Sequence, residues 1–162
     1  MGYQARTAEP EEPLTTTVGA VIDRPRAADS RPYDVLYRSV FHIIQEFPRP
    51  DLRPYLGQTV TIEIDRPVGY VHRKGEKTLV YPINYGYIPG VLGGDGEELD
   101  VFLLGVDQPV ATYTGRIVGI VYRADDVEDK LIMAPDGMDL TVEEMTAAVY
   151  FQEKYYDSHV ET

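Results

Sequence analysis

The sequence predicts a mainly β fold with peripheral helices: a small antiparallel barrel or partly closed sheet, with one helix before the strands and one after. Three observations carry this expectation. Short runs in which apolar and polar residues alternate recur along residues 59–134, separated by turn residues. No helical pattern interrupts them, so the strands must pair with one another rather than through helical crossovers. Helical periodicity is confined to the two flanks. At 162 residues, 43% of them hydrophobic, the chain is long enough for one domain with a real core.

Residues 1–31 mix Pro, Thr, Ala and charge without sustained periodicity and read as a disordered arm. Residues 32–56 read as an N-terminal helix and linker. Leu36, Val40, Ile43, Ile44 and Phe47 share one helical face, and Pro48 and Pro50 stop the helix. The apolar face suits a subunit interface, which would make the protein a homo-oligomer, or a cover for its own barrel. Residues 57–162 form the β-barrel domain. It opens on Val60, Ile62 and Ile64 alternating with Thr59, Thr61 and Glu63, which is strand period. Arg66–Lys77 gathers Arg66, His72, Arg73, Lys74 and Lys77, and its Arg-Lys-Gly-Glu-Lys portion reads as a hairpin loop. Such a basic cluster is either a solvated turn or the receiving half of an anion site.

Tyr81–Asp100 is the densest stretch of the chain. Pro82 has no N–H and takes the chain out of any central ladder. Gly93-Gly94-Asp95-Gly96 is a tight-turn sequence, followed by Glu97, Glu98 and Asp100 at the start of a buried apolar strand. Four acids so placed repel one another and call for partial protonation, solvent or a bound cation. Residues 116–122 form a further strand, and 124–130 carry a second acidic run, Asp125, Asp126, Glu128 and Asp129, closed by Lys130. Residues 131–135 are a short buried strand stopped by Pro135. Thr141-Val142-Glu143-Glu144 is a capping box that opens the last helix, whose apolar residues include Met145, Ala148, Val149 and Tyr155.

Composition narrows the function. Fifteen Lys+Arg against 27 Asp+Glu leave a net charge of −12, which disfavours nucleic acid and anionic membranes as partners. With no cysteine there are no thiolate metal sites or disulfides, in keeping with a cytoplasmic location. His42, His72 and His159 lack metal-ligand spacing. The sequence has no Gly-x-Ser-x-Gly elbow and no phosphate-binding P-loop. If the sheet curls, the two acidic turns can face each other, and all-oxygen ligands suit Mg2+ before Zn2+. The pattern fits metal-assisted chemistry on a phosphate-like anion; acidic, solvated β-turns are the competing reading.

Tyr81-Pro82-Ile83-Asn84-Tyr85-Gly86-Tyr87-Ile88-Pro89-Gly90, followed by Asp95-Gly96-Glu97-Glu98-Leu99-Asp100-Val101, resembles the signature of the soluble, Mg2+-dependent, β-barrel inorganic pyrophosphatases. In that family an Asp-x-Asp-x-x-Asp run follows Tyr-Pro-x-Asn-Tyr-Gly. The resemblance covers roughly residues 59–156 and implies a five-stranded, OB-like β-barrel. It also implies pyrophosphate as substrate, two or more Mg2+ ions, and attack by a metal-activated water without a covalent intermediate.

Residue by residue, the resemblance assigns catalytic parts to Glu97, Arg73, Lys130 and Tyr85. Substrate contacts fall to Arg73, Tyr81, Tyr85, Lys130 and Tyr155. The metal set comprises Asp95, Asp100, Glu63 and the loop carboxylates Asp125, Asp126, Glu128 and Asp129, with the choice among the last four left open. Three departures stand out. Glu97 replaces the family's central aspartate, and one methylene displaces a carboxylate enough to cost rate. Tyr156 stands where the family has a lysine. A further base on the early hairpin has no clear counterpart, with His72 and Lys74 the candidates. The first two motivate an alternative: a catalytically weakened paralogue that binds a phosphate-bearing ligand or a protein partner.

Overall fold

The computed structural model describes residues 48–162, so the arm and the first helix expected from the sequence lie outside the described residues. Eight strands and one α-helix follow a short 3-10 turn at Arg53–Tyr55. The strands are β1 (Thr59–Arg66), β2 (Val71–Lys74), β3 (Lys77–Val80), β4 (Asn84–Leu92), β5 (Glu98–Leu103), β6 (Thr112–Arg123), β7 (Lys130–Ala134) and β8 (Ser158–Glu161). The helix, α1, is Val142–Glu153. The main sheet runs β1-β4-β5-β7-β6-β8, and β1 also pairs with β6, closing the first five into a barrel. β2 and β3 form a separate hairpin turned at Gly75, whose φ of 57° a side chain would resist.

The barrel is not wholly antiparallel, as the sequence reading expected: β5 and β7 run parallel. Closure requires this. Strand direction can alternate around a ring only if the ring has an even number of members, so a five-membered ring must contain a parallel pair. The other four contacts of the ring are antiparallel.

Period-2 alternation gives the barrel wall two apolar faces. Inside, Ile62, Ile88, Leu99, Val101, Leu103, Ile117, Ile120, Leu131 and Met133 form one buried cluster drawn from all five barrel strands. The alternate residues, Tyr85, Phe102, Val121 and Ile132, face outward and meet Met145 and Val149 of α1. The helix is fixed at its start by the capping box. Glu144 N–H donates to Thr141 Oγ1 at 3.1 Å and Thr141 N–H to Glu144 Oε2 at 2.8 Å. Gly119 lets it sit close, because a Cβ there would meet Met145 Sδ at 2.9 Å.

Three boundaries differ from expectation. β6 starts at Thr112, ahead of the expected residue 116, because its polar first residues pair with β1, where the Thr61 and Thr114 hydroxyls meet at 2.7 Å. β8, too short and polar to show periodicity, adds to the edge of β6. The last helix stops at Glu153, so Tyr155 lies beyond it as the chain turns toward β8.

Candidate active site

Outward-facing residues of neighbouring strands bring the first charged cluster together. Asp100 alternates with the core residues Leu99 and Val101 on β5, and Lys130 with Leu131 on β7, so both charges point out of the barrel. Tyr85 on β4 joins them. Its hydroxyl donates to Asp100 Oδ2 at 2.6 Å and accepts from Lys130 Nζ. Lys130 Nζ also lies 2.8 Å from Asp100 Oδ2 and 2.8 Å from Glu128 Oε1. Lys130 is fully buried, and Asp100 and Glu128 nearly so.

Burial disfavours the ammonium of Lys130, but Asp100 and Glu128 more than offset this and hold it charged. Burial and the field of Asp100 push the Tyr85 phenol well above its ordinary range, so it stays a proton donor. Burial also pushes Glu128 up to about 8; Lys130 opposes the shift, while Asp100 and Asp95 add to it.

Tyr81 stands behind Tyr85, its ring edge-on to Phe151 at 5.2 Å. Its hydroxyl accepts from Arg66 Nη1 at 2.6 Å, and the Arg66 guanidinium lies 5.4 Å and 5.5 Å from the ring centroids of Tyr81 and Tyr85. Arg66 is buried, a role that the sequence reading, which placed it in a basic hairpin region, did not assign.

Each acidic turn has its own anchoring. In the first, Glu97 N–H donates to Asp95 Oδ1 at 3.0 Å, an Asx turn, and Gly96 takes a φ of 80°. Asp95 and Glu97 are half-buried. Gly94 seats this turn against the second, since a Cβ on Gly94 would overlap the Val127 carbonyl oxygen. The two acidic turns do meet, through backbone contact at a glycine.

In the second turn the carboxylates are engaged by the protein itself. Arg123 Nη1 lies 3.3 Å from Asp126 Oδ2 and 3.2 Å from Glu128 Oε2. The other edge of its guanidinium forks onto Glu153, at 3.0 Å from Nε and 2.6 Å from Nη2. Its Cζ lies 3.6 Å from the Tyr156 ring centroid. Asp129 accepts from the Arg123 N–H at 3.0 Å and from both Nε and Nη2 of Arg49. Asp125 is exposed and accepts from the Asp157 N–H at 3.0 Å. Among the described residues, no three His, Asp or Glu side chains are arranged to hold an ion between them.

Other residues named from the sequence lie outside this cluster. Glu63 accepts from Tyr87 Oη–H at 2.7 Å across the β1–β4 pair. Arg73 is exposed on the β2–β3 hairpin. Tyr155 is 61% exposed, and its neighbour Tyr156 is the tyrosine that reaches the charged cluster, beneath Arg123. Arg123, Arg49 and Glu153 went unassigned in the sequence reading. The available signal was an arginine opening an acidic run at the end of an apolar strand.

The inorganic pyrophosphatase family model matches residues 54–157. The inorganic pyrophosphatase of Neisseria meningitidis serogroup A is 44% identical over 59 residues, 33% of each chain. The soluble inorganic pyrophosphatase of rice (subspecies indica) is 35% identical over 100 residues, 58% of this chain and 44% of that protein. The Haemophilus influenzae inorganic pyrophosphatase is 31% identical over 103 residues, 59% and 54% of the two chains. The chain thus spans from one third to about half the length of these curated relatives. In fold it is similar to the solved inorganic pyrophosphatase of Coxiella burnetii, with a TM-score of 0.50 and 22% identity over 65% of this chain and 84% of that one. The matched segment takes in the whole barrel and both acidic turns, and on that match the chain belongs to the inorganic pyrophosphatase family.

Proposed function

We propose that this chain hydrolyses inorganic pyrophosphate to two phosphates with the help of Mg2+. The observation that carries the reading is the buried Asp100–Glu128 pair, bridged by a single ammonium and backed by Tyr85.

The donor chemistry fits a hard divalent cation at this place. Asp95 and Asp100 offer only oxygen, and Asp100 is buried. Asp95 and Asp100 would hold the ion, with water and substrate oxygens completing its shell. When bound, it would supply Lewis-acid charge and acidify a water molecule.

The chain's own residues do the rest. Lys130 keeps its charge beside Asp100 and fixes the rotamers of both carboxylates. Tyr85 pins the Asp100 oxygen from the other side and closes the base of the site to solvent. Glu97, on the turn above them, takes the proton of the attacking water as its oxygen bonds to one phosphorus and the P–O–P bridge breaks. Arg73, exposed on the hairpin, gives the substrate a positive approach in an otherwise acidic protein.

Phosphate release from pyrophosphate, measured with Mg2+ and with chelator beside Asp100→Asn, tests the proposal. Turnover that requires metal and is lost in the variant is the expected result. Folded wild-type protein that releases no phosphate with any divalent metal tested would overturn it.

A further inference from the structure

We infer that Arg123 is a built-in cation of the second acidic turn, which therefore takes no metal ion of its own, leaving divalent binding to the Asp95–Asp100 side of Lys130. The inference rests on the metal-dependent reading above and revises its ligand set. The resemblance assigned two metal positions to residues 125–129, and the structure gives those carboxylates other partners.

Arg123 is 1% exposed and touches three carboxylates, those of Asp126, Glu128 and Glu153. Mg2+ at this point would need about six oxygens near 2.1 Å in octahedral array. A guanidinium instead offers five fixed N–H donors, and here those donors meet a forked glutamate on one edge and two single oxygens on the other. Burial disfavours the charge of Arg123, but the hydrogen bonds it donates to Glu153 and the fields of Glu128 and Glu153 more than offset it. Beneath it the Tyr156 ring presents a π face that suits a flat cation. This accounts for a tyrosine where the family has lysine: a second cation beside the Arg123 guanidinium would be repelled.

The remaining loop carboxylates are engaged as well. Asp129 is clasped by Arg49, which also donates to the Arg123 carbonyl at 2.7 Å and ties the segment before the barrel to the loop. Asp125 caps the Asp157 amide. Glu128 alone looks both ways, with Oε2 on Arg123 and Oε1 on Lys130. It marks the border between the arginine-filled half and the half open to a divalent ion.

The test is an ion count with Mn2+ as probe, by equilibrium dialysis and electron paramagnetic resonance on the full chain. Asp126→Asn and Asp129→Asn should bind as many Mn2+ ions as wild type, with affinities within about threefold, whereas Asp100→Asn should bind at least one fewer. Arg123→Met, if folded, should bind one more ion than wild type. Loss of an ion in Asp126→Asn or Asp129→Asn would overturn the inference, and so would a folded Arg123→Met with an unchanged count. If Arg123→Met does not fold, the two aspartate variants decide. Phosphate release from pyrophosphate in the same samples separates the two proposals. Turnover with an ion lost in Asp126→Asn sinks this inference alone, and the expected counts without turnover sink only the proposed activity.

Discussion

Replacing Lys130 with Met tests the organisation of the site directly. Methionine nearly matches the lysine stem in length and volume, so little cavity is left and the effect is chiefly electrostatic. The ammonium lies 2.8 Å from both Asp100 and Glu128, and all three groups are buried. Removing one member of such a buried ion network leaves uncompensated charge and costs about 3–5 kcal/mol. For a domain of this size that corresponds to a fall of roughly 10–20 °C in Tm. Urea and thermal melts in chelator measure it, beside the double variant Lys130→Met/Glu128→Gln. Removing the Glu128 carboxyl that faces Asp100 should restore about 1–3 kcal/mol of the loss. A single-variant loss below about 1 kcal/mol, or a double variant no more stable than the single, would refute the view that Lys130 neutralises a carboxylate pair.

Three further outcomes follow from the same geometry. Gly94→Ala would drive a Cβ into the Val127 carbonyl and separate the acidic turns, lowering stability by about 1–3 kcal/mol and phosphate release at least tenfold; Gly93→Ala, which meets nothing nearer than 3.5 Å, should be milder on both counts. In chelator, stability should fall as pH rises from about 5 to about 8. The folded state holds the Glu128 proton up to about 8 while the unfolded chain releases it near the ordinary 4.5, so the contribution is full below 4.5 and gone above 8; denaturant midpoints that rise across this window would contradict it. Thr141→Ala removes the acceptor that caps the Glu144 amide, and chemical denaturation should show a loss of about 1 kcal/mol with pyrophosphate turnover unchanged.

Much of the fold was legible because it depends on local pattern. Alternation in Thr59–Ile64 marked β1, the capping box at Thr141 marked the start of α1, and Gly75 within a charged turn marked the hairpin. Glycine and proline mark the Tyr81–Asp100 segment for a comparable reason. Pro89 lies where the β4–β5 register slips, and a Cβ on Gly86 would overlap the Glu63 carbonyl of the neighbouring strand. Tyr85, Asp100 and Lys130, named from the resemblance, lie on three different strands, yet the register brings them within hydrogen-bond reach of one another.

The sequence alone determined which residues alternate, where the chain must turn and which side chains carry charge, since these follow from steric and chemical properties of single residues and near neighbours. Only the tertiary structure decided how the charges pair. Arg123 meets Glu153 thirty positions away, and Arg49 meets Asp129 eighty positions away. Arg123 is buried because a helix returns across the barrel wall and brings Glu153 to it, while Arg49 stays exposed and is fixed by its clasp on Asp129. The parallel β5–β7 pair has the same origin, as does the choice of Tyr156 over Tyr155 beside the charged cluster. Closing an odd number of strands fixes the first, and the turn that ends α1 fixes the second, and both are properties of the assembled chain.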